Sequence, residues 1–194
     1  LIFFTLITIL LPLFLKKTTT RFSKKIFLNG LIYFSLIGIG FMTFEISLIQ
    51  RLTLFLGHPL YALGILLSIL IASSGVGSYF SERFSFDKGK KFFLLSLIVF
   101  ILILLMRFLL PVIISVLITK PIFYKILISI ILIAFVGFPL GFFFPTGIKL
   151  SNLMNSNYSP WFWAINGVFS VLSSAFTVFI SIYIGISFNF YIAS

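Results

Sequence analysis

Few residues in this 194-residue chain can do chemistry, and they crowd into one stretch, Gly38 to Pro59, which reads GIGFMTFEISLIQRLTLFLGHP. Glu45 is the one carboxylate set inside an apolar run. Gln50 and Arg51 follow it, and Gly57-His58-Pro59 breaks the run. An ionisable residue in a membrane-crossing helix is costly and usually faces protein or water rather than lipid. Glu45 therefore reads either as a proton-linked or cation-binding carboxylate or as a structural Glu bonded to neighbouring side chains. Gly38, Phe41 and Met42 lie on its helical face, so a neighbouring element can pack close to it. Arg107 is the candidate partner. From Lys25 to Glu45 is ~30 Å of helix and from Lys91 to Arg107 ~24 Å, which puts the two groups at similar depth. The competing reading of Arg107 is a side chain that snorkels to the headgroups. His58 is the single imidazole, either a site residue or an interfacial turn residue. Asn166 can bond across helices or touch a ligand. Trp161, Trp163 and Lys149 read as interfacial contacts.

Composition defines what must position these groups. The chain is 61% hydrophobic and 19% aromatic, with only 9% charged residues and a mean hydropathy of +1.27. A water-soluble domain needs more polar surface than that. The fold class is an all-α, polytopic transmembrane helix bundle. The net charge of +11 sits in short connectors between apolar runs, the pattern of the positive-inside rule, and no basic–aromatic interleaving suggests nucleic acid. There is no Cys, which removes disulfides and thiolate chemistry. One His and few carboxylates argue against a metal cage, and no cofactor motif is present.

About six spans are expected: residues 1–15, 26–49, 60–80, 92–119, 122–144 and 161–186, forming one domain incomplete at both ends. The first run is short and begins with neither Met nor a basic segment, so it reads as the tail of a longer helix. Gln50 to Pro59 reads as a turn whose Leu52–Leu56 part can extend the helix. Pro111 should kink the fourth span. Gly137, Pro139 and Gly141 interrupt the fifth, and Pro145-Thr146-Gly147 should stop it before a polar loop at 149–160. Small residues should form helix-packing seams at Ser73–Ser78 and along Gly167, Ser170, Ser174, Thr177, Ser181 and Gly185. After Gly185, SFNFYIAS reads as the start of a seventh helix. Alternate connectors carry ten Lys and Arg against three on the other side, which places the 16–25 and 81–91 connectors in the cytoplasm. The expected location is a bacterial plasma (inner) membrane.

Four segments together resemble a known family. GIGFMTFEISLIQRLTLFLGHPLYALGILL with the following SGVGS, then GFPLGFFFPTGIK (137–149) and PWFWAINGVFSVLSS (160–174), look like the C-terminal membrane half of the polytopic spermidine-synthase-like proteins, in which a synthase domain is fused to a major-facilitator-like helical region. The likeness spans about Phe34 to Gly185. Phe143 stands where that family tends to have Pro, and Lys149 where it tends to have Arg. The resemblance implies a membrane module that anchors or serves an aminopropyltransferase-like domain, with the catalytic carboxylates in that domain. No Gly-rich strand-to-helix turn of the kind it needs occurs in this sequence. A domain placed just before Leu1 would fall outside by the charge count, so another crossing would have to precede Leu1, or the domain is absent, or the count misleads. The second function class is a small transporter-like module for a cationic metabolite with Glu45 as counter-charge, for which a broken helix in the membrane is the cue. Catalysis within this chain is the weakest reading, because no nucleophile–base pair is present.

Overall fold

A computed structural model describes residues 24–83, 89–154 and 158–194. The expected first span at 1–15 and most of the 16–25 connector lie outside the described residues. The described residues form seven helices and no strand: α1 (Lys24–Leu56), α2 (Pro59–Ser81), α3 (Gly89–Leu117), α4 (Ile122–Leu140), α5 (Phe143–Met154), α6 (Ser159–Tyr183) and α7 (Ile186–Ala193). Five stretches are long and apolar enough to cross a membrane, α4 and α5 counting together as Ile122–Asn152. Helices are the form in which such runs satisfy their own backbone in lipid. Large apolar side chains such as Leu36, Ile71, Phe93 and Ile182 point outward, as a lipid-facing surface requires.

Chain direction alternates from α1 to α4. One end of the bundle gathers the starts of α1, α3 and α6 with the end of α2. The other gathers the α1–α2, α3–α4 and α6–α7 turns. The core between them holds Phe44, Leu48 and Leu52 of α1, Ala62, Leu66 and Leu70 of α2, Ile103, Met106 and Leu110 of α3, and Ile133 and Val136 of α4. A second cluster, Phe34, Tyr158 and Phe162, closes the first end.

Several boundaries differ from the sequence-based expectation. Gln50 and Arg51 are helical, because α1 continues unbroken to Leu56 and turns only at Gly57, whose φ of +78° suits glycine. His58 then caps α2, its Nδ1 accepting the Leu60 N–H at 3.2 Å, and Pro59 opens the helix. The α3 helix contains Pro111, as the span expected at 92–119 does. Pro145 does not stop the fifth crossing. The interruption lies earlier, at Gly141-Phe142, and Pro145 falls in the first turn of α5, where its missing N–H costs nothing. Residues 149–154 are accordingly helix and not loop. Gly185, at φ +110°, reverses the chain after α6. The short α7 then re-enters the bundle, with Asn189 and Phe190 buried and the Phe190 ring 6.1 Å from that of Phe44.

Candidate functional site

A cavity of about 390 Å³ opens at the α4–α5 break. Gly38 and Phe41 of α1 line it, with Ser74 and Ser78 of α2, Gly141 and Pro145 at the break, and Asn166 and Ser170 of α6. Its shape follows from close helix approach. A Cβ on Gly77 would fall on the Phe138 carbonyl, and one on Gly141 on the Ser74 carbonyl. Only glycine lets α2 and α4 come this near, and their contact opens the space beside it. A Cβ on Gly38 would stand 2.6 Å from the Asn166 carbonyl oxygen, so α6 also approaches closely there.

Glu45 is half-buried one turn beyond Phe41 and two beyond Gly38, on the same stripe of α1. Helical side chains lean toward the N-terminus, over the preceding turn. Phe41, one turn before Glu45, lines the cavity, and Glu45 itself is not among the lining residues. Among the described residues it makes no hydrogen bond and no ion pair. A charged residue at mid-helix in lipid costs about 2.5–3.5 kcal/mol on insertion scales, so an unpaired one is unusual.

The expected Glu45–Arg107 pair does not form. Arg107 turns to α7, its guanidinium carbon 4.3 Å from the centre of the Tyr191 ring and 4.9 Å from that of Phe108. Arg51 is no partner either. It lies six residues after Glu45, ~240° around the helix, and its guanidinium donates to the Ser187 hydroxyl. Helix length gives an expected depth, but it says nothing of rotation about the axis.

The remaining candidates have packing partners. Gln50 Oε1 accepts from the Ser181 hydroxyl at 2.7 Å, and Asn166 Nδ2 donates to the Phe34 carbonyl at 3.0 Å. His58 is exposed in its cap, with its ring beside Tyr61. Sequence reasoning missed the polar ladder that joins α1 to α6. Thr43 Oγ1 and Ser173 Oγ lie 2.8 Å apart, the Thr177 hydroxyl donates to Thr43 at 3.2 Å, and Asn189 Nδ2 donates to Ser181 Oγ at 2.7 Å. Asn189 is fully buried in a helix whose other residues, apart from Ser187 and the Tyr191 hydroxyl, are apolar. That contrast was the available signal, since a polar side chain inside an apolar run needs a partner.

No known protein-family model matches this chain, and neither a curated protein nor a solved structure is significantly similar to it.

Proposed function

We propose that this chain is the integral membrane module of a spermidine-synthase-like protein of the bacterial inner membrane, and that it holds a cationic, polyamine-type metabolite at the Glu45 cavity. One observation carries this reading. The segments that resemble the family are far apart in sequence, yet they meet round a single cavity. Every lining residue except Ile37 and Ile71 comes from Gly38–Leu67, Ser74–Ser78, 137–149 or 160–174. A cavity with hydroxyl and amide groups on its walls, and a carboxylate without a partner one helical turn beyond the lining residue Phe41, suits a flexible amine. On this reading the module supplies or receives the substrate of a synthase-like domain.

The transporter-like reading draws on the break between α4 and α5 at Gly141-Phe142, which lies beside the same cavity. Both readings share the binding step, so binding is the first test. The purified chain in lipid nanodiscs should bind radiolabelled spermidine saturably. Glu45→Gln should weaken that binding at least roughly tenfold, because it keeps the shape and removes the charge, a loss of about 1.4 kcal/mol or more. Filling the cavity with Ser170→Leu should abolish it. No saturable binding, or binding indifferent to both changes, would overturn the proposal.

A further inference from the structure

Arg51 and Arg107 converge on one face of α7 from opposite helices. Arg51 donates to Ser187, and Arg107 covers the ring of Tyr191 one helical turn further along. Ser187 and Tyr191 are four residues apart, so the two cations meet neighbouring positions on that face. The Nε of each is buried and has no acceptor. Two guanidinium groups brought together in a membrane, each with a buried donor unused, lack something that neutralises them.

Among the described residues no carboxylate pairs with either arginine. The chain has three acidic residues in all. Glu45 faces another sector of α1. Glu82 caps the far end of α2. Asp87 lies outside the described residues. We infer that Arg51 and Arg107, held against Ser187 and Tyr191 of α7, form a binding site for a phosphate oxyanion. Planar guanidinium donors match the geometry of phosphate oxygens and neutralise their charge. Arg51 stands only five residues before the end of α1, ~8 Å of helix from the bundle end where α1 turns into α2. A lipid phosphodiester and a free phosphate-bearing solute both reach that depth. The site is separate from the Glu45 cavity and of opposite charge, so either can fail without the other.

The test uses the full chain in a maltoside detergent, which carries no phosphate. Thermal unfolding is followed while inorganic phosphate or phosphatidylglycerol is added, with chloride at matched ionic strength as the control. The expected result is a saturable rise in the unfolding midpoint. A rise with phosphatidylglycerol alone assigns a lipid headgroup, and a rise with inorganic phosphate assigns a free anion. Arg51→Gln and Arg107→Gln should each weaken the half-saturating concentration at least roughly tenfold, the scale of one charge-assisted hydrogen bond, whereas Arg83→Gln at the opposite end should not. If a variant fails to fold, the wild-type titration decides alone. A midpoint insensitive to both anions, or a response retained in the Arg51→Gln/Arg107→Gln double variant, would overturn the site.

Discussion

The bundle contains two parallel helix pairs, α1 with α6 and α2 with α4, and similar small residues line both. The α1–α6 pair is joined by side chains. Thr43, Ser173 and Thr177 bond one another, Ser173 also donates to the Ile39 carbonyl at 3.1 Å, and Ser181 reaches Gln50. In the α2–α4 pair the serines spend their hydroxyls locally, Ser73 on the Leu70 carbonyl and Ser74 on the Ile71 carbonyl, both at 3.2 Å. What holds α2 to α4 is backbone against backbone, at Gly77 over Phe138 and Gly141 over Ser74. Serine is thus an interhelical donor in one seam and a small residue in the other. In a membrane, where burial from water does not drive helices together, these are the two available solutions.

The difference makes the α2–α4 seam the brittle one. Gly77→Leu places a side chain on a facing carbonyl that cannot rotate away, so the two helices must separate. The expected loss is about 3 kcal/mol or more, above the common range for overpacking, read as a shift in reversible unfolding in mixed micelles. The α4–α5 break and the cavity beside it should distort together with that contact. Unchanged stability in this variant would mean that the close approach is not what positions α4.

The α1–α6 seam should respond next, and with a sharp choice of residue. Ser173 is buried on the ladder, whereas Ser174 is only half-buried and returns its hydroxyl to the Val171 carbonyl of its own helix at 2.8 Å. Ser173→Leu is expected to cost about 1–3 kcal/mol and Ser174→Leu less than about 0.5 kcal/mol. The same unfolding measurement separates them. Equal costs would show that the ladder is not the contact surface.

That pair of residues also shows what the sequence made legible. The all-α class and the Ser73–Ser78 seam follow from composition and periodicity, and the structure agrees; five of the expected spans have a counterpart among the described residues, with shifted ends, and the one at 1–15 lies outside them. The α6 seam was half legible. Ser170, Thr177 and Ser181 sit on it, but Gly167 and Ser174 do not: a Cβ on Gly167 meets open space. Small size was taken as the criterion, and the winning criterion was the rotation of α6 about its axis, which only its partner fixes. The Glu45–Arg107 pairing failed for the same reason. Depth along a helix is set by residue number at 1.5 Å per residue, but direction depends on which neighbour each helix meets. The α4–α5 break was visible as a cluster of Gly and Pro, and its register was misread because Pro145 serves as a helix-starting residue rather than a stop. The convergence of Arg51 and Arg107 had no sequence signal, since it depends on α7 folding back at Gly185.

The smallest expected effect tests whether the ladder's hydrogen bonds themselves hold α1 to α6. Thr43→Val keeps the β-branched shape and removes the hydroxyl that meets both Ser173 and Thr177. The obvious estimate is two lost bonds, but each partner keeps an alternative: Ser173 still donates to the Ile39 carbonyl, and Thr177, freed from Thr43, can return its hydroxyl to its own helix. Interhelical hydrogen bonds in membranes also average only ~0.6 kcal/mol, because the unfolded chain in the membrane finds partners too, with a maximum of ~1.7 kcal/mol. Thr43→Val should therefore cost about 0.6 kcal/mol, well below Gly77→Leu. A double-mutant cycle with Ser173→Ala should show a coupling of the same size, because the two hydroxyls bond each other at 2.8 Å. A coupling near zero would mean that both seams are held by shape alone and that the ladder merely satisfies its own polar groups. A coupling several times larger would mean that the α1–α6 seam, rather than the glycine contact of α2 with α4, is the more brittle of the two.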